Sequence, residues 1–258
     1  AIQSLNSVEP VKGFFWREYS ADGEPQNGSK PRKYFTGENA ARIDAMRKLI
    51  SYWQETGLTN PEAELLLHQL ILAVNKVANI AGTYGYYRSS FTASSLANLA
   101  LEVPAPPARG PQRHRVLQGK IEDIAPNLDA ELCYLDPPYT KRQYAGNYHL
   151  LETLALQDAP EPVGEGGLRD WYPQHSDFCS KRKVRDAFHR TLSRLKTPTV
   201  ALSYSEDGLV PSEELTELLA EYGKVSRREL ALPRFRSNNG ESNKPGAVHE
   251  HLYILERR

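Results

Sequence analysis

The sequence predicts an α/β fold: a mainly helical region ahead of a sheet that is closed by an antiparallel hairpin. Three observations carry this reading. Ile43, Met46, Ile50 and Trp53 recur at helical spacing within 38–54, and Leu66, Leu70, Val74 and Val77 continue a broad apolar stripe to about Ala81. Two short apolar runs, Leu132–Leu135 and Thr199–Ser203, read as buried strands, with helical stretches at 148–156 and 180–196 between them. Two last strands, about 225–235 and 248–255, flank Ser237–Gly240 and a loop through Gly246, which is the pattern of a hairpin.

The elements follow in order. Residues 1–33 show little periodicity, with only Gly13–Trp16 apolar, so the expectation there is an irregular segment. The second helix starts with Asn60 as a cap and Pro61 at its first position, and Glu62 and Glu64 face its positive end. Gly82–Arg88 (GTYGYYR) ends that helix in a loop. Pro104–Pro111 (PAPPARGP) is too rich in proline for a helix or central strand and reads as a linker. A helix at 212–222 stops at Gly223.

Composition narrows the function classes. At 258 residues with 40% hydrophobic residues, the chain suits one large domain or a domain carrying an insertion. Its 32 Lys+Arg against 32 Asp+Glu exclude a uniformly basic nucleic-acid coat but leave room for a local basic face. No apolar run approaches the roughly 18–20 residues of a membrane helix, and no signal-peptide pattern opens the chain. Cys133 and Cys179, without a CxxC or a Cys/His cluster, argue against a disulfide framework or structural zinc, as in a reduced cytosolic protein. Met46 is the sole methionine and the chain begins at Ala1. Either an initiator has been removed or the chain is a piece of something longer.

The chemistry concentrates at Asp136, Pro137, Pro138 and Tyr139, directly after the first strand. The exocyclic amine of a flat base is a poor nucleophile because its lone pair is delocalised into the ring. A carboxylate and a backbone carbonyl that accept both N–H bonds favour the pyramidal nitrogen. Prolines remove backbone donors and fix φ, which leaves such a carbonyl rigid and free to accept. Tyr139 offers a face on which an extruded base can stack. The bland alternative is an ordinary turn, since Asp-Pro-Pro also occurs in loops. The following segment to His149 adds Lys141, Arg142 and Tyr144, a mixture suited to phosphates and bases.

At this point the sequence resembles the Dam-like N6-adenine DNA methyltransferases, especially the type II restriction–modification branch. The resembling blocks stand in family order: Tyr34–Arg47, Val77–Tyr84, Tyr134–Tyr139, Asn147–Thr153, Ser176–Cys179 and Ser203–Gly208. The resemblance implies a SAM-dependent methyltransferase-like (Rossmann-like) sheet, S-adenosylmethionine (SAM) as methyl donor, and a flipped adenine in double-stranded DNA as substrate. It implies a mainly helical insertion at 38–112 for DNA recognition and a catalytic region at 113–258, after the irregular segment 1–37. Asp136 and the Pro137 region would hold the target amine, Tyr139 would stack on the adenine, and Asp136 would also lie beside SAM. Lys120 and Asp123 compete for the family's acidic SAM contact just before the catalytic strand.

One departure stands out. The family's Phe-x-Gly-x-Gly turn, which cradles the methionine end of SAM, has no clear counterpart upstream of Asp136; Phe35–Asn39 is only a partial likeness inside the helical insertion. The expectation is therefore the C-terminal half of the usual sheet, with Leu132–Leu135 at an exposed apolar edge. A missing N-terminal segment or a second chain would then complete the SAM site. Tyr84, Tyr86, Tyr87 and Arg88 are the candidate DNA-reading loop, against the alternative of a packing corner. The basic run Lys181–Arg185 with Arg190, Arg194 and Lys196 reads as a solvated face or a phosphate-facing helix. Two rival functions remain: a non-catalytic DNA-recognition subunit of a split enzyme, and an RNA adenine methyltransferase.

Overall fold

A computed structural model describes residues 1–104, 114–233 and 247–257. The linker reading for Pro104–Pro111 falls, from residue 105 on, outside the described residues, as does the turn at Ser237–Gly240 and Gly246. The chain divides into two units: Ala1–Gly110 with Ala145–Gln174, and Pro111–Tyr144 with His175–Arg258. Residues 145–174, read from sequence as part of the catalytic region, thus group with the helical unit.

In the first unit, α1 (Ile2–Asn6) and α2 (Phe14–Tyr19) replace the expected irregular opening. Leu5, Phe15 and Tyr19 are fully buried. The reason is nonlocal. Asp44, on α3 (Gly37–Thr56), accepts hydrogen bonds from the backbone N–H groups of Gly13 (3.1 Å), Phe15 (2.9 Å) and Trp16 (2.8 Å). It caps α2 from about thirty residues away, a partner that local pattern cannot reveal. Thr36 caps α3 by accepting from the Asn39 N–H. Helix α4 (Asn60–Val77) is capped by Thr59, not Asn60: Glu62 accepts from the Thr59 N–H at 3.0 Å. It ends at Val77 rather than near Ala81 because buried Asn79 turns the chain, donating to the Lys33 and Arg88 carbonyls. After a short α6 (Tyr144–Asn147), helix α7 (His149–Leu156) packs Leu150 and Leu154 into the same core as α3 and α4.

In the second unit the strands are β1 (Leu132–Leu135), β2 (Thr199–Ser205), β3 (Gly223–Pro233) and β4 (Ala247–Arg257), in spatial order β1-β2-β4-β3. β1 and β2 are parallel, with Leu135 opposite Leu202; β3 and β4 form the antiparallel closing hairpin. Helix α8 (Val184–Arg194) and helix α9 (Ser212–Ala220) contribute Phe188, Leu192, Leu215 and Leu219 to a core shared with Val200, Leu202, Tyr253 and Leu255. A short α5 (Ile121–Ile124) precedes β1.

The expectation of a buried strand at 132–135 needs correction. Leu132 is 57% and Tyr134 60% exposed, while Cys133 and Leu135 pack partly on the core. β1 is an edge strand, as the truncated-sheet reading expects, and among the described residues no strand pairs with its outer side. Among the described residues, no helix is long and apolar enough to cross a membrane.

Candidate active site

Because β1 and β2 run parallel, their C-terminal ends emerge on the same edge of the sheet, which is where open α/β sheets bind ligands. Asp136 leaves β1 exposed at that edge, and Pro137, Pro138 and Tyr139 are half-buried behind it. The turn is anchored to the loop after β2. The Tyr139 carbonyl accepts from the Leu209 N–H at 3.0 Å, and its ring meets fully buried Tyr204 edge to face, centroids 6.2 Å apart. One turn further on, Gln143 exchanges two hydrogen bonds with the Ser176 backbone, at 3.0 and 2.8 Å. The C-terminal end of the tetrapeptide and the loop after it are thus held by contacts distant in sequence.

Beside it lies a cleft of about 300 Å³, lined by Leu135, Asp136, Pro137 and Pro138 on one side and by Ile121, Phe178, Phe188 and Thr191 on the other. Apolar walls with one carboxylate at the mouth suit a flat, partly apolar ring system that carries hydrogen-bonding edges. Arg190 links the segments that carry Ile121 and Phe178, donating to the neighbouring Glu122 (3.2 Å) and Asp177 (2.8 Å). Burial raises the pKa of the Asp177 carboxyl, but the hydrogen bonds and charges of Lys183 and Arg190 together outweigh it and hold the group below its ordinary value. Tyr139 sits among acids. Burial, then Glu250, Asp136 and Asp207, push its hydroxyl above the usual phenol range, so it stays neutral. Glu250, on β4, accepts from the Ser203 hydroxyl at 2.7 Å. The sequence pattern singles out none of Glu250, Ile121, Phe188 and Thr191. Glu250 carries no local signal, because β4 reaches the site only through its antiparallel register with β2.

The other predicted residues divide. Lys120 and Asp123 are exposed and line no part of this cleft; Asp123 faces Arg194 at 3.6 Å, and Ile121 between them forms the wall instead. Lys141, Arg142 and Tyr144 are exposed in the loop that follows the tetrapeptide. Tyr84 is a correction. It is fully buried, its hydroxyl donates to Asn75 at 3.0 Å, and its carbonyl is bonded by Tyr34 and His149. It is the packing corner, fixed in the first unit's core. Tyr86 is 46% exposed and stacks on Tyr87, with centroids 4.6 Å apart at 14°; Arg88 is half-buried. The basic run is largely neutralised: Arg185 pairs with Glu214, Lys183 with Asp177, and Arg194 with Asp123. His149 is structural, buried with Nε2 against the Tyr84 carbonyl.

A family model described as D12 class N6 adenine-specific DNA methyltransferase matches residues 6–218. The chain is 33% identical over 259 residues to the type II methyltransferase M.NlaIII of Neisseria lactamica, covering 99% of this chain and 75% of that protein. It is 32% identical to the type II methyltransferase M.FokI of Planomicrobium okeanokoites, with 88% of this chain matched to 35% of the relative. It is 28% identical to the modification methylase StsI of Streptococcus sanguinis, with 100% of this chain matched to 38% of the relative. The chain therefore spans most of the first protein and little more than a third of the other two. No solved structure matches.

Proposed function

The chain belongs to the D12 class of N6 adenine-specific DNA methyltransferases, and from that membership we propose that it transfers a methyl group from SAM to N6 of an adenine flipped out of duplex DNA. The observation that carries the reading is Asp136–Tyr139, anchored at the open edge of the sheet beside an apolar cleft. Asp136 and the carbonyl at Pro137 accept the N–H bonds of the target amine, and neither proline has a donor that would compete. The Tyr139 ring, fixed against Tyr204, stacks on the extruded base; unstacking is repaid by that contact. Ile121, Phe178 and Phe188 fit the flat adenosine portion of SAM, which supplies an electrophilic methyl group when bound. No general base is required for attack, because a sulfonium leaves readily.

Tyr86, Tyr87 and Arg88 in the first unit, and Lys141, Arg142 and Tyr144 in the second, are the residues we assign to DNA. The outer side of β1, unpaired among the described residues, supports a further reading. A strand from a longer polypeptide or from a second chain pairs there and completes the SAM site. Incubation with tritiated SAM and either duplex DNA or RNA, followed by nucleoside analysis, tests the proposal, with and without any co-encoded upstream product. Label in N6-methyladenine is the expected result. Label confined to RNA, or none under either condition, overturns it.

A further inference from the structure

Residues Val163–Leu168 form a tight turn in the first unit that nothing above uses. Val163 and Leu168 close it with two backbone hydrogen bonds, of 2.7 and 2.9 Å. Four consecutive carbonyls inside it are taken by side chains with no solvent exposure. Arg32 donates to Gly164 (3.3 Å) and Glu165 (3.1 Å), the Tyr34 hydroxyl to Gly166 (2.9 Å), and the Tyr19 hydroxyl to Gly167 (2.8 Å). Gly164 and Gly167 have φ of 70° and 66°, and a Cβ on Gly167 would lie 2.7 Å from Arg32 Nε. Most surface turns leave such carbonyls to water. Here buried donors hold the backbone in one conformation.

The charged residue that this rigid turn presents is Glu165, which is exposed. The turn lies against the loop that carries Tyr86: the Tyr34 hydroxyl meets the Gly166 and Tyr84 carbonyls at 2.9 Å each, and a Cβ on Gly166 would lie 3.0 Å from the Gly85 carbonyl. Glu165 is close enough to the Tyr86 hydroxyl to push it above the usual phenol range. Tyr86 stacks on Tyr87, and Tyr87 packs edge-on against buried Tyr34, centroids 5.2 Å apart. Arg88 follows in sequence. An acid therefore stands on a rigid turn beside an aromatic pair that Arg88 follows. Phosphates repel a carboxylate, so Glu165 weakens any purely electrostatic grip on DNA. It gains only where it meets a hydrogen-bond donor, and the donors that base edges present in the major groove are the exocyclic amines of cytosine and adenine.

We propose that Glu165 is a specificity determinant that accepts a hydrogen bond from the exocyclic amine of one base in the recognition sequence, with Tyr86 holding the carboxylate in place. The inference rests on the DNA-methyltransferase reading above. The test uses the full chain and a random duplex library, with the bound fraction sequenced for wild type, Glu165→Ala, Glu165→Gln and Tyr86→Phe. Wild type should enrich a motif. Glu165→Ala should lose about tenfold in preference at a single base pair, the other positions being unchanged, and the base lost identifies cytosine or adenine. Glu165→Gln should shift that position toward adenine, and Tyr86→Phe should weaken the same position in part. A wild-type motif that survives Glu165→Ala intact overturns the inference alone. A wild-type chain that binds DNA without any motif, or not at all, overturns the recognition role of this unit and the inference with it.

Discussion

Acidification should weaken the fold through one buried imidazole. His149 has no solvent exposure; Nε2 meets the Tyr84 carbonyl at 3.0 Å, and Nδ1 is among the buried polar atoms without a partner. The neutral ring carries its hydrogen on Nε2, donates to Tyr84, and leaves Nδ1 bare. Protonation would place an unpaired N–H and a charge in the core. Burial, with smaller contributions from Arg169 and Arg32, accordingly lowers its pKa to about 4, against the partial opposition of the Tyr84 hydrogen bond. The unfolded chain binds the proton first, near pH ~6.5, so the stability that neutral His149 contributes is complete above that value. It is lost as pH falls and levels off once pH drops below the folded value. Between about pH 7.5 and about pH 5 the loss should be about 2 kcal/mol, from roughly 1.4 kcal/mol per pH unit. Urea unfolding at both values measures it, with His149→Gln as the control: the amide still donates to Tyr84 but does not titrate. Buried Asp44, whose pKa is raised chiefly by desolvation, acts in the opposite direction and is common to both proteins. The difference between their pH dependences isolates His149. Equal losses in wild type and His149→Gln would refute the argument.

Asp136→Ala should abolish methyl transfer while leaving DNA binding largely intact, because the lost contact belongs to the transition state; tritium transfer beside a gel-shift titration reads both, and activity within about tenfold of wild type would sink the assignment. Tyr139→Ala should cost about 1–3 kcal/mol in capture of the flipped base, reported by 2-aminopurine fluorescence, whereas Tyr139→Phe should be mild. If Phe is as damaging as Ala, the hydroxyl among Glu250, Asp136 and Asp207 matters and stacking is the wrong account. Arg32→Met breaks a fully buried pair with Glu18 (3.1 Å) and frees the carbonyls of Gly164 and Glu165. The cost should be about 3 kcal/mol in urea unfolding, at the low end for a broken buried pair, because Arg17 and the Gln26 N–H still bond Glu18. A change below about 1 kcal/mol would contradict the burial argument.

The sequence by itself determined the elements whose information is local. The 3.6-residue stripes placed α3 and α4 to within a few residues, and the two apolar runs and the closing hairpin placed the four strands in order. The Asp-Pro-Pro-Tyr turn and its family resemblance, from which the proposed chemistry is argued, are equally local, because the motif consists of contiguous residues. What the sequence could not hold was pairing across distance. Asp44 caps α2 from another helix, which is why residues 2–19 fold where composition predicted irregular chain. Tyr84 and Tyr86 stand two residues apart in one loop, yet Asn75, Tyr34 and His149 bury the first and leave the second in solvent. Ile121 and Phe188 reach the cleft from two separate helices, and Glu250 comes near Tyr139 through the β2–β4 register. β1 reads as a buried strand from its four apolar residues, but burial belongs to neighbours, and on its outer side the described residues provide no paired strand. Periodicity states which face of an element is apolar; only tertiary packing decides what, if anything, covers it.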